Sequence, residues 1–389
     1  MTILRQTGRF ETSSVAGEAV AAFVPHPLPP SGPPLELDAA AKDLLQRAER
    51  ALARLDLAGD LVPSLDWFIY AFVRKEAVLS SRIEGTQASL TDLFAFEAEE
   101  HADAVPTDDV EEVCNYLDAL NFARAELRRE GGLPLSMRLL NEGHRRLMSG
   151  GRGANKLPGE VRRSQNWIGG TRPGNATFVP PLPQRVADCL SDLEQYIPHG
   201  DDLHPLVRTA LIHTQFETIH PYLDGNGRTG RMLITLALEH WGLLREPLLY
   251  LSLYIHRHRA EYYARLAAVR EGDWEGWILF FLEGVVVIAD EAIATARDLF
   301  ARVSEDRTRV LDAPASSVNA LRLLELLPEH PIVTINRVAE LTGTTKPTAS
   351  KAIQVLEDLG VLVEASGRQR DRSFRYGAYL EILRADDAE

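Results

Sequence analysis

Apolar residues recur at helical spacing through most of this chain, and that periodicity limits it to a mainly α-helical fold. Asp38 stands as a cap before a pattern with Ala41, Leu44, Leu45, Ala48, Ala51, Leu52 and Leu55 on one face. A second apolar helix is expected over about 65–82, and others over about 108–129, 135–149, 184–196, 204–218, 227–242, 256–270 and 274–304. Strand-like alternation is scarce. Its best candidate runs from Asn166 to Val179, where the segment 169–175 supplies a turn between two short extended pieces. The greasiest stretch, Trp277 to Ala289, is interrupted by Glu283 and Gly284 and is too short to span a bilayer, so no membrane partner is expected.

Four regions follow from composition. Residues 1–36 read as a proline-rich arm, with six prolines between Pro25 and Pro34. Residues 37–105 form an N-terminal helical region, 106–305 a helical core, and 306–389 a small C-terminal domain. In that last region Thr334 to Leu341 reads as a helix, 342–345 as a turn and Lys346 to Leu359 as a second helix. Val361-Leu362-Val363 and Phe374-Arg375-Tyr376 then bracket a polar tip, and this order makes a winged helix-turn-helix. The net charge of −14 excludes a whole-molecule attraction to DNA or to an anionic membrane. A local patch is left open, since Arg368, Arg370, Arg372 and Arg375 cluster at the expected wing tip. DNA is therefore a candidate partner. The competing reading is a protein-interaction module, and a homodimer is a candidate assembly. Two cysteines, Cys114 and Cys189, exclude a disulfide framework and a cysteine zinc site, and with no secretory signal behind Arg5 and Arg9 a cytoplasmic location is expected.

Chemistry concentrates in residues 213–231. His220-Pro221-Tyr222-Leu223-Asp224-Gly225-Asn226-Gly227-Arg228-Thr229-Gly230-Arg231 lies between two apolar-periodic helices. Gly225, Asn226 and Gly227 permit a tight turn whose N–H groups converge at a helix N-terminus, a ready phosphate site. Arg228 and Arg231 lie one helical turn apart and suit phosphate oxygens. Asp224 is placed to hold a hard cation such as Mg²⁺. His220 is the candidate base. A base, a metal ligand and a phosphate cradle within twelve residues describe phosphoryl or nucleotidyl transfer.

This segment resembles the signature of the Fic family, His-Pro-Phe-x-Asp-Gly-Asn-Gly-Arg-x-Gly-Arg, with Tyr222 where phenylalanine is usual. The resemblance covers about 40–300 and implies a Fic-type helical core with a β-hairpin flap and an adenylyltransferase activity. His220 would deprotonate a hydroxyl on a target protein, which attacks the α-phosphate of ATP and expels Mg-pyrophosphate. Asp224, Gly225, Asn226, Gly227, Arg228, Thr229, Gly230 and Arg231 would hold the nucleotide and its metal. Tyr262, near the adenosine end, and its neighbour Tyr263 carry over with them. Asn175 to Pro181 resembles the flap, with Phe178, Val179, Pro180 and Pro181 lining an exposed edge that pairs with a target peptide. Ser80-Ser81-Arg82-Ile83-Glu84-Gly85 resembles the family's inhibitory motif, which implies that Glu84 competes with phosphate for Arg231 and that Ser80 helps place it. The alternatives are a nucleotide-sensing DNA-binding regulator, and phosphorylation or removal of AMP on the same fold.

Overall fold

The computed structural model describes residues 5–60, 65–99, 107–150, 153–199, 202–367 and 371–385. It opens with a feature that the proline-rich composition hid. Residues β1 (Gly8–Val15) and β2 (Glu18–Pro25) form an antiparallel hairpin instead of a simple extended arm. Ala16 and Gly17 both take positive φ, the twist that a two-residue hairpin turn demands. Val20, Ala22, Phe23 and Val24 are buried, so this region adds apolar core as well as polar cover.

The helical frame follows: α1 (Ala39–Asp60), α2 (Leu65–Ile83), α3 (Leu90–Glu99), α4 (Asp108–Arg128) and α5 (Met137–Leu147). Next come α6 (Pro183–His199), α7 (Pro205–Ile219), α8 (Asn226–His240), α9 (Ser252–Arg257), α10 (Arg259–Arg270) and α11 (Trp274–Asp312). Several starts are capped by the residues the sequence offers: Asp38 Oδ1 accepts the Ala41 N–H at 2.8 Å, and Asp273 Oδ1 accepts that of Gly276 at 2.9 Å. The pair α7–α8 is buried nearly all round, so both helices run through the centre and the turn between them is held from every side.

The 39-residue α11 passes residue 305 without a break and carries the chain to the C-terminal domain. There α12 (Val318–Leu326), α13 (Ile335–Thr342) and α14 (Lys346–Asp358) pack with a sheet ordered β3 (Ile332–Thr334), β5 (Ser373–Arg375), β4 (Val363–Glu364), and α15 (Gly377–Arg384) closes the domain. This is the expected winged helix. Its buried Tyr376 donates to the Asp306 carboxylate on α11 at 2.7 Å, tying the domain to the core. Among the described residues no helix is long and apolar enough to cross a membrane.

Candidate functional site

Where α7 ends, His220 adopts a left-handed conformation with φ 50°, uncommon for a residue with a side chain. The surroundings impose it. Arg162, itself buried, donates from Nε to the His220 carbonyl at 2.9 Å and from its main-chain N–H to that of Pro221 at 2.9 Å. Asn226 then staples the turn, accepting the Tyr222 N–H at Oδ1 and donating from Nδ2 to the Tyr222 carbonyl, both at 2.8 Å. Gly225 caps α8 at φ 74°, and Thr229 Oγ1 donates back to its carbonyl at 2.9 Å. The loop N–H groups thus open onto a helix N-terminus as the sequence pattern requires.

His144 of α5 supports the loop from below and was not picked out by sequence reasoning. Its Nδ1 accepts the Gly159 N–H at 2.9 Å, so the other ring nitrogen carries the proton and donates to the Asp224 carbonyl at 2.9 Å. The ring stacks on Tyr222 with centroids 3.7 Å apart. Burial lowers the His144 imidazole to about 4, which keeps this neutral tautomer near neutral pH. The phenol of Tyr222 reaches Asn141 at 2.7 Å, so tyrosine in place of phenylalanine gains a partner here. His220 is also lowered to about 4, by burial first and then by the Arg162 charge, and stands neutral and able to accept a proton.

The two arginines of the motif differ. Arg231 is buried and engaged at two of its three nitrogens: Nε donates to Ser80 Oγ at 2.9 Å, and Nη2 to the Ser80 carbonyl at 2.9 Å and to Glu84 Oε1 at 2.6 Å. Burial alone would raise the Glu84 carboxyl, but the Arg231 guanidinium outweighs it and holds the group below its ordinary value. A Cβ added at Gly227 would fall 2.1 Å from Glu84 Oε1, so the carboxylate fills the space the missing side chain leaves over the loop. Arg228 is held at Nη1 by Glu112 of α4 at 2.9 Å, while its buried Nε has no hydrogen-bond partner. Glu217, one turn before His220, is pushed up to about 7 by burial despite the Arg231 charge nearby.

One expectation about flanking residues changes, that of an exposed flap edge. Phe178, Val179, Pro180 and Pro181 are buried, not exposed. Phe178 exchanges both main-chain bonds with Ile168, while the carbonyls of Val179, Pro180 and Pro181 accept from Phe23 N–H, Gln165 and Arg162. The hairpin strand β2 covers this edge, and the exposed part of the flap is its tip, 169–177 apart from Pro173 and Ala176. Tyr262 is buried with its hydroxyl 2.9 Å from His213 Nε2, and His213 in turn holds the Gly230 carbonyl, so Tyr262 braces α8 from behind; Tyr263 is exposed. In the wing, Arg372 pairs with Glu357 at 3.1 Å, and Arg368 and Arg370 lie outside the described residues.

The sequence pattern of the Fic/DOC family matches residues 134–238, that of the Fic/DOC family N-terminal region 42–125, and that of the IclR helix-turn-helix domain 316–366. Residues 134–238 are thus a Fic domain, with the Fic N-terminal region before it. Two proteins named protein adenylyltransferase Fic resemble it: that of Drosophila virilis is 29% identical over 246 residues, 60% of this chain and 47% of that protein. That of Drosophila melanogaster is 28% identical over 246 residues, again 60% of this chain and 46% of the other. The chain thus spans about half the length of the curated Fic relatives it matches. A Fic family protein of Desulfovibrio desulfuricans superposes with a TM-score of 0.56 at 21% identity, over 88% of this chain and 98% of that one. A fragment of Fic-1 from C. elegans gives 0.50 at 22% identity, over 67% and 73%. At these identities the two structures speak for the shared Fic fold.

Proposed function

We propose that this Fic protein is an adenylyltransferase that moves AMP from ATP to a serine, threonine or tyrosine hydroxyl of a target polypeptide, and that Glu84 restrains it. The observation that carries the reading is the carboxylate already seated at Gly227 and Arg231, an anion where the loop would take polyphosphate. The relatives' names favour AMP as the group moved. In the reaction, neutral His220 takes the proton of the attacking hydroxyl. Its oxygen bonds to the α-phosphorus as the bond to the bridging oxygen breaks, and pyrophosphate departs with that electron pair. The loop N–H groups and Arg228 hold phosphate oxygens in line. Among the described residues no cluster of three or more potential metal ligands occurs. Asp224, exposed at the lip of the loop, supplies a single hard ligand, which fits an ion that keeps water and nucleotide phosphates as its other ligands. Mg²⁺ held there would neutralise charge on the leaving pyrophosphate.

Incubation with ATP labelled at the α or γ phosphorus tests this. Label on protein from the α position supports AMP transfer; γ label means phosphorylation, and loss of AMP from a pre-modified target means its hydrolytic removal. A second reading, a DNA-binding regulator, is favoured by one observation. Lys346, Ser350, Lys351 and Gln354 all face solvent on α14, a set that suits phosphates and base edges. Salt-dependent binding of duplex DNA without protein labelling would favour it.

A further inference from the structure

We propose that the winged helix clasps the inhibitory helix α2 in its locked position, and that Lys75 is the positioning residue of that clasp. The inference rests on the reading of Glu84 as a lock and asks what holds the lock in place. The C-terminal end of α2 and the turn after it reach Arg231 through Ser80 and Glu84. The earlier turns of α2 are engaged with the winged helix. The Tyr70 ring lies 6.1 Å from His330, which leads into β3. Tyr70 and Arg74 together grip Glu97 of α3, at 2.5 Å and 2.7 Å, and α3 packs along β3.

Lys75 makes the most telling contact. Its ammonium is buried, and Nζ donates to the Leu383 carbonyl at 2.8 Å. That carbonyl belongs to the last turn of α15, where helix carbonyls lack internal partners and the helix end favours a cation. A buried ammonium is costly without such a partner, so the bond ties α2 firmly to α15. The next residue, Glu76, accepts from the Ser252 N–H and hydroxyl at 3.0 and 2.5 Å and ties α2 to the core side. Lys75 and Glu76 together fix the rotation and axial position of α2. Glu84 lies nine residues on, roughly 14 Å along at the usual helical rise. Sliding or turning α2 at Lys75 therefore carries the carboxylate off Arg231.

The junction also has room to shift. A cleft of about 370 Å³ remains between Trp67 of α2, Phe300, Val303 and Arg307 of α11, and Leu324 of α12. Whatever displaces the winged helix acts on Glu84 through α2, and it does so only as far as it favours one position of that helix over the other.

The test uses the full chain and α-labelled ATP. Lys75→Met keeps the bulk and removes the bond; Leu383→Ala loosens the same turn of α15 without touching α2. Lys75→Met should raise AMP transfer about tenfold, the lower end for a hydrogen bond with a charged partner, and Leu383→Ala, which keeps the carbonyl, should raise it less. Neither should raise it further in the Glu84→Gly background, where no lock remains. Amide exchange at residues 76–84 should quicken in both variants. A fall in both backgrounds would reduce Lys75 to a structural residue, and an equal rise in both would place its effect outside the lock. Unchanged transfer and exchange would also overturn the clasp. Should Glu84→Gly itself leave transfer unaltered, the lock reading falls, and exchange in α2 still decides whether α15 holds that helix.

Discussion

Replacing Glu84 with glycine removes a single acceptor from a buried cation, and its effect can be worked from the bonds it leaves. Arg231 keeps its two bonds to Ser80 and loses the 2.6 Å bond to the carboxylate. A hydrogen bond with a charged partner contributes about 1.5–3 kcal/mol. If that free energy holds Arg231 away from the nucleotide, its loss shifts the balance toward the open site by about 10- to 150-fold. AMP transfer in Glu84→Gly should rise by at least the lower figure. The same change leaves a buried guanidinium without its closest counter-ion, so thermal stability should fall. Rates are therefore compared at equal folded protein, checked by circular dichroism. The assay is α-labelled ATP with wild type, Glu84→Gly and Glu84→Gly/His220→Ala, the last reporting background. A single variant no faster than wild type would refute the reasoning and leave Glu84 as a residue at a helix end. A rise that survives in the double variant would refute the role of His220 instead.

Three further outcomes are expected. His220→Ala in the Glu84→Gly background should lose about 100- to 10,000-fold in transfer, the usual contribution of a positioned base, while ATP binding by calorimetry changes little. His144→Ala should weaken transfer about tenfold or more with His220 intact, because the Asp224 carbonyl loses its donor and a misplacement of about 1 Å is costly; His144→Gln, which can still donate, should recover part of it. Acid should not open the lock: the Glu84 carboxyl sits below its ordinary value, so its charge and its bond to Arg231 persist above that value and are lost only as pH falls through the lowered one. Wild-type transfer measured from pH 8 to about pH 5 should accordingly stay low.

The parts of the site proposed to react were legible because they are contiguous. His220 to Arg231 occupy one turn and one helix start, and a local pattern reads them directly. The parts that hold them were not, because the fold brings them from far along the chain. His144 reaches Asp224 across 80 residues, Arg162 reaches His220 across 58, and Glu112 reaches Arg228 across 116. No spacing rule links such pairs. The winged helix was legible in helix order and in its bracketed tip. The hairpin β1–β2 was not, since its turn is Ala16-Gly17 and not the Asn-Gly or Asp-Gly that marks such turns, and the neighbouring prolines dominate the composition. Missing that hairpin also misplaced the flap edge, because it is β2 that covers Val179.

Arg228 and Arg231 show what sequence spacing leaves undecided. Three residues apart on one helix, they look interchangeable as phosphate ligands. In the folded chain Arg231 has its Nε and Nη2 spent on Ser80 and Glu84, whereas Arg228 is fixed at one nitrogen by Glu112 and its buried Nε has no hydrogen-bond partner. An anion arriving at the loop therefore meets Arg228 oriented by Glu112, and Arg231 with its Nη2 already paired to a carboxylate. A site built this way can hold part of a polyphosphate while the rest is kept from its partner. On the proposed reading binding and turnover are then separate properties, and a lock on Arg231 would slow the reaction without emptying the site.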